Sequence, residues 1–216
     1  MTFQSARKQN IVEEIFNSVT CGIGLCLSVT ALVVLVVSVA VRGDALRVVS
    51  FSIYGASLVF LFLFSTLYHC FRSEKAKHVF EILDHCAIYI LIAGTYTPFA
   101  LITLKGPWGW SLFGIVWSVA LAGILFKSFF VKKLRVLSPI LYLLMGWLAV
   151  AVLRPLTQSL AFWGIVWLAV GGIIFSLGVI FFAFKKLPFQ HVVWHLFVLA
   201  GCICHFFSIF FYVLPE

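Results

Sequence analysis

The sequence predicts an all-α membrane protein, a seven-transmembrane-helix bundle with its N-terminus cytoplasmic and its C-terminus outside. Three observations predict it: a composition too apolar for a water-soluble domain, seven apolar runs long enough to cross a bilayer, and an uneven division of basic residues between the connections. Of 216 residues, 63% are hydrophobic and 10% charged, whereas a soluble domain carries about 25% charged residues. Most of the chain must therefore face lipid or other helices. Seven spans with short connections use nearly all of it, so residues 1–216 read as one membrane domain with a short cytoplasmic segment over 1–15.

The runs are Phe16–Val41, Val48–Cys70, His85–Leu104, Trp108–Phe126, Val136–Leu153, Leu160–Phe184 and His191–Leu214. Each can cross a ~30 Å hydrocarbon core at 1.5 Å per residue. In lipid the backbone must satisfy its own hydrogen bonds, and no alternating pattern suggests a barrel, so helices are expected. The first run is too long for the apolar core of a cleavable signal peptide, and Glu13 and Glu14 interrupt its approach, so it reads as a retained span. No internal repeat of useful strength is present.

Basic residues set the orientation. Arg7, Lys8, Arg72, Lys75, Lys77, Lys127, Lys132, Lys133, Arg135, Lys185 and Lys186 fall on the N-terminal side of the bundle. Only Arg42, Arg47, Lys105 and Arg154 fall on the other. Seven spans with the N-terminus inside satisfy the positive-inside rule. The net charge of +8 is thus accounted for by topology and by contacts with anionic lipid headgroups at cytoplasmic loops, and no nucleic-acid partner is expected.

Several local features are expected to shape the helices. Phe71–Leu83 is the most polar connection, and Val79, Ile82 and Leu83 give it the apolar edge of a short interfacial helix. Pro98 should kink the third span and free carbonyls there, and Pro188 should set a stop before the seventh. Gly171, Gly172 and Gly178 should permit close helix packing. The cysteines at 21, 26, 70, 86, 202 and 204 show no C-x-x-C spacing and read chiefly as small apolar helix residues. Cys70 and Cys86 flank histidines.

Ionisable residues within membrane spans are costly, and each raises a functional hypothesis. Here they gather at one depth. Ser65 and His69 share a face at the end of the second span, Asp84 opens the third, and His191 and His195 share a face in the first turns of the seventh. Glu13, Glu14 and Asn17 open the first span on the same side. Two histidines at i, i+4 can bind one metal ion, and a third leaves an open fourth position, the pattern of catalytic zinc. Zn²⁺ in such a site brings the pKa of its water toward ~7. Asp84 could take a proton, and Ser65 could orient water or donate to an oxyanion. Whether these groups converge laterally depends on helix order, which spacing does not give. His205 is expected to hydrogen-bond between helices, His78 to be solvated in a loop, and His85 is left open. Glu13 and Glu14 are read equally as helix N-terminal charges or as support for the site.

Four segments carry a resemblance: E-E-I-F-N-S-V-T at 13–20, S-T-L-Y-H at 65–69, D-H-C-A-I-Y-I-L-I-A-G-T-Y-T-P-F at 84–99 and H-V-V-W-H-L-F-V-L-A-G-C-I-C-H at 191–205. They resemble the haemolysin III family, part of the progestin and adipoQ receptor group and of a wider membrane hydrolase superfamily that includes alkaline ceramidases. The resemblance runs from about Glu13 to Tyr212 and implies a seven-helix bundle with zinc near the cytoplasmic surface. It implies His69, His191 and His195 as zinc ligands, with Ser65 and Asp84 in the polar shell around them. Bacterial relatives often carry histidine after the threonine of the first motif, where this chain has Cys21.

The expected function is a zinc-dependent hydrolase of a lipid amide or ester, in the bacterial plasma membrane. The rivals are a non-enzymatic sensor or regulator of membrane lipid state with structural zinc, a haemolysin-like cytolysin, and haem coordination by the paired histidines. The substrate and the oligomeric state are left open.

Overall fold

In the computed structural model, described over residues 10–41, 44–130, 137–183 and 187–215, the chain is helical nearly throughout, and no strand occurs among the described residues. Seven helices are long and apolar enough to cross a membrane. The basic residues Arg7, Lys8, Arg42, Lys132, Lys133, Arg135, Lys185 and Lys186 lie outside the described residues, as do the run ends at Val136 and Phe184.

The first span is α1 (Ile11–Ala40). Asn10 caps it: its Oδ1 accepts from the Glu13 amide at 2.7 Å, and its own amide donates to Glu13 Oε2 at 3.2 Å. This reciprocal pair satisfies two otherwise orphaned donors and fixes where the helix begins. Asp44 caps α2 (Ala45–Cys70) in a similar way, accepting from the amides of Leu46 and Arg47.

The third span starts earlier than the apolar run suggests. α3 begins at Glu74 and runs to Pro98, so most of the polar connection is the helix's own first turns and no separate interfacial helix forms. His78 lies on this helix, half exposed and 4.0 Å from Glu81, not in a loop.

Pro98 has the expected consequence. It brings no N–H to the ladder, and the next six residues, Phe99–Leu104, widen into π-helix, closed by the Lys105 amide on the Ala100 carbonyl. A tight turn follows, with Lys105 at φ 53° and Gly106 at φ 51°, and α4 (Gly106–Phe130) folds back. Gly109 allows that return, because a Cβ there would lie 2.1 Å from the Ala100 oxygen.

The fifth span is broken: α5 (Leu137–Gly146), a 3₁₀ stretch over Trp147–Val152, then α6 (Leu153–Ser159). Tyr96 explains the break. Its phenol donates to the Gly146 carbonyl at 2.5 Å and accepts from the Ala149 amide at 2.7 Å, so a side chain from α3 replaces part of the helix's own ladder.

The sixth and seventh spans are α7 (Phe162–Ala183) and α8 (Gln190–Tyr212). Their seam is as close as Gly171 and Gly178 suggest, whereas a Cβ on Gly172 would meet Trp147 of the fifth span at an ordinary 3.7 Å. A Cβ on Gly171 would lie 2.4 Å from the His205 ring, and one on Gly178 would lie 2.8 Å from Phe197. Ser208 donates to the Gly164 carbonyl across the same seam. Pro188 and Phe189 form the turn before α8.

α3 is the hub. Its apolar window is the most enclosed of the seven (61% buried), and its two faces reach two packed clusters. One gathers α1, α2 and α8 around Phe51, Tyr54 and Phe62; the other gathers α4 and α5 around Tyr89, Val116 and Tyr142. The sixth span, only 11% buried, is peripheral. α1 packs against both α2 and α8, so the first and last spans are neighbours and the polar ends of α1, α2, α3 and α8 come together.

Candidate metal centre

The lateral convergence that spacing could not give is present. His69 at the end of α2 and His191 and His195 at the start of α8 offer ring nitrogens that all lie within 4.8 Å of one another. The rings meet edge to face, with centroids 5.0 Å apart for His69–His191, 5.1 Å for His69–His195 and 4.6 Å for His191–His195. His69 Nε2 and His195 Nε2 are 3.1 Å apart. His69 and His195 are buried, and His191 Nε2, also enclosed, has no hydrogen-bond partner.

An orphaned buried imidazole nitrogen is costly in an apolar bundle. Three nitrogens aimed at one small volume remove that cost together if they share a cation. The set therefore fits a divalent ion, with the borderline-soft imidazole donors that zinc accepts. Haem, a much larger group bound through its two faces, does not fit nitrogens this close.

The other face of His69 is also fixed. Its Nδ1 lies 2.6 Å from Glu14 Oε2 on α1, so Nδ1 carries a proton toward the carboxylate and leaves the Nε2 lone pair toward the cluster. Glu14 in turn pairs with Lys77 of α3, while Lys77 lies over the Tyr68 ring. Glu13 acts differently: its Oε1 accepts from the Phe189 amide at 3.2 Å and so holds the start of α8 against the start of α1. The two adjacent glutamates thus have separate tasks, one orienting a candidate ligand and one holding the helix that carries the other two.

Ser65 lies beside this cluster, and Asp84 beside Ser65. Ser65 is one turn before His69 on the same face; it accepts from the Cys21 thiol at 3.3 Å and interacts with the Asp84 carboxyl. Cys21 therefore enters the polar shell from α1, where the resemblance left its place open. Asp84 is partly buried and also faces Lys127 electrostatically.

Lys127 departs most from the sequence reading. Instead of lying in a loop as a topology charge, it is 1% exposed at the end of α4, donating to Ser138 Oγ at 2.9 Å. No sequence signal separated it from its basic neighbours. Glu14 and Lys77 had one available signal, their depth, but not their pairing.

The remaining histidines are outside the three-nitrogen cluster. His205 Nε2 donates to the Leu168 carbonyl of α7 at 3.2 Å, an interhelical bond as expected. His85 Nδ1 donates to the Glu81 carbonyl one turn back. All six cysteines are free thiols.

Fold and site together define a seven-span integral membrane protein with a buried three-histidine centre that could hold a metal ion. The chain belongs to the Haemolysin-III related family, whose profile it matches over residues 9–206. It is 50% identical to Hemolysin-3 of Bacillus cereus over 208 residues, covering 96% of this chain and 95% of the relative. It is 52% identical to the Hemolysin-3 homolog of Bacillus subtilis (strain 168) over 202 residues, covering 94% and 95%. The human Monocyte to macrophage differentiation factor is 32% identical over 167 residues, covering 74% and 69%. No solved structure matches the chain. Seven apolar spans and close bacterial relatives make it an integral protein of the bacterial plasma membrane.

Proposed function

We propose that the chain is a zinc-dependent hydrolase of a lipid amide or ester, working in the cytoplasmic leaflet with its N-terminus inside. The convergence of His69, His191 and His195, with His191 Nε2 lacking any other partner, carries this reading. The excess of basic residues on this end of the bundle supports the orientation. Zinc held there would polarise a carbonyl and bring a water's pKa toward ~7.

The chain's own residues take the remaining tasks. Glu14 keeps the Nδ1 proton on His69 and so keeps the Nε2 lone pair available. Asp84 receives the proton released by the attacking water and returns it to the leaving group. Ser65, held between Cys21 and Asp84, orients the water or donates to the developing oxyanion. The surrounding helices exclude bulk water, and membrane lipids reach the site from the side.

A second reading, a regulator of membrane lipid state with structural zinc, is favoured by one observation. The same residues link α1, α2, α3 and α8, so a metal there would also staple the bundle. Metal content of the detergent-purified protein comes first. The expected result is about one zinc per chain, lost in His69→Ala and in His191→Ala/His195→Ala variants that stay monodisperse. A screen of lipid amides and esters then separates the readings. Turnover that disappears in Asp84→Asn with zinc retained identifies a hydrolase. Zinc-loaded protein that turns over none of them, with Asp84→Asn silent in cells, leaves the regulator.

A further inference from the structure

A lysine at the end of a membrane span ordinarily lays its stem along the helix and keeps its ammonium in water. At the end of α4 that arrangement is inverted: Phe126 and Phe129 are exposed, whereas Lys127 is 1% exposed. The helix face explains the direction. Leu112, Val116 and Ala120 are buried on α4, and steps of three and four carry the same face through Gly123 to Lys127. That face meets α3. A Cβ on Gly123 would lie 2.4 Å from the Tyr89 ring, and Cys86 Sγ lies 3.9 Å from both the Ile124 carbonyl oxygen and Ser128 Oγ. α5 closes the remaining side. Tyr142 donates its hydroxyl to the His85 carbonyl at 3.1 Å, and Ser138, one turn earlier, accepts from Lys127 Nζ at 2.9 Å. The ammonium is thus enclosed among α3, α4 and α5, at the level where α3 carries Asp84, His85 and Cys86.

A buried ammonium needs more than a hydroxyl. Ser138 Oγ accepts a hydrogen bond but carries no charge, and an enclosed cation without a counter-charge is strongly destabilising. The carboxylate that Lys127 faces is Asp84. Asp84 has the complementary need. Glu81, on its own helix, is a like charge, and Ser65, Cys21 and Tyr142, from α2, α1 and α5, are neutral; Lys127 brings positive charge from α4. Cys21, Ser65, Asp84, Lys127 and Ser138 therefore make one polar row through the first five spans in order. Ser65 joins that row to the metal centre, since it lies one turn from His69 on the same face of α2.

We infer that Lys127 is a positioning residue for Asp84: its ammonium, anchored on Ser138, is the fixed counter-charge that holds the Asp84 carboxylate as an anion turned toward Ser65. This deepens the proposed hydrolase and rests on that reading for its functional meaning. Lys127 keeps its protons throughout. The proton of the attacking water passes to Asp84 and from there to the leaving group, and the ammonium compensates the carboxylate before and after that passage. Asp84 thus meets each turnover in one place and one charge state. α4 and α5 carry none of the three histidines, and this pair is how they take part in the site.

A double-mutant cycle on the whole protein in detergent tests the pair. Lys127→Met keeps most of the side chain's length and removes its charge, and Asp84→Asn removes the opposite charge. If the two charges compensate each other, the loss of melting temperature in Lys127→Met/Asp84→Asn should be smaller than the sum of the two single losses. Lys75→Met, on an exposed position of α3, should leave the melting temperature unchanged. Additive losses overturn the inference and leave Lys127 a partner of Ser138 alone. Where Lys127→Met does not stay folded, recovery of the fold in the double variant reads the same coupling, and a double variant that also fails overturns it. The infrared carboxylate band of Asp84, assigned by its absence in Asp84→Asn, should shift in Lys127→Met; an unmoved band counts against the pair. Turnover of the lipid amide or ester found in the screen is scored on the same zinc-loaded samples. Lys127→Met should lower kcat about a hundredfold with KM and zinc content unchanged, and an unchanged kcat overturns the positioning role. Coupling without turnover in the parent keeps the pair and removes the hydrolase, whereas turnover with additive losses does the reverse.

Discussion

His69 Nδ1 and Glu14 Oε2 are 2.6 Å apart, across 55 residues of sequence and two helices. The carboxylate decides which nitrogen of His69 carries the proton, and so which is free to bind a cation. Glu14→Gln puts an amide in its place, which can donate as well as accept and no longer holds one tautomer. Outer partners of this kind typically contribute 10–100-fold to metal affinity. Glu14→Gln should weaken zinc binding by about that factor with the protein still monodisperse, as read by competition with a chelator of known affinity. Unchanged affinity would mean that Glu14 serves only its pair with Lys77.

On the proposed zinc site, the same cluster should also make stability depend on metal. His69 belongs to α2 and His191 and His195 to α8, and an ion among them would add a tie at one end of two helices whose other ends are joined by the Arg47 bond to the Leu214 carbonyl. A ligand that binds only the folded protein stabilises it by about 2.7 kcal/mol at a hundredfold excess over its Kd. Stripping zinc with a chelator should lower the melting temperature in detergent by several degrees, and resupply should restore it. The triple His69→Ala/His191→Ala/His195→Ala variant should melt at one temperature whether or not zinc is added.

Tyr96 offers a test far from the metal. Its phenol bonds both Gly146 and Ala149, where the fifth span leaves α-helix for 3₁₀ geometry. Tyr96→Phe keeps the ring and removes both bonds, leaving a part-buried carbonyl and a part-buried amide to find other partners within the bilayer, where water is scarce. Unsatisfied groups of this sort cost about 1–3 kcal/mol each. The variant should lose thermal stability by an amount in that range or above while retaining zinc. A span that closes into regular α-helix without loss would show that the break has another cause.

What could be read in the sequence depended on whether the determining signal was local. Span number followed from apolar length, the Pro98 disturbance from a missing N–H, and the pairing of His191 with His195 from helical spacing. The convergence of His69 on that pair needed the order of helices around the bundle, which no local pattern encodes. Lys127 makes the same point in reverse. It sits among basic residues that looked like loop charges, yet α4 carries it inward to Ser138 and toward Asp84. The early start of α3 was missed because its first turns are polar, and a hydropathy pattern marks where lipid begins instead of where helix does.

Two glycines on α4 separate backbone crowding from simple helix preference. Gly109 sits under the π-helical stretch after Pro98, where a Cβ would lie 2.1 Å from the Ala100 oxygen, while Gly114, five residues on, has open space around it. Alanine at Gly114 should be neutral or slightly stabilising, since alanine is favoured over glycine in a helix by roughly 1 kcal/mol. Alanine at Gly109 must push against main chain, which cannot rotate away as a side chain can, and over-packing of this sort costs about 1–3 kcal/mol or more. Gly109→Ala should therefore melt well below the parent and Gly114→Ala at or above it. Equal melting temperatures would mean that the α3–α4 turn shifts freely, and that the π-helical stretch is not held by the return of α4 over Ala100.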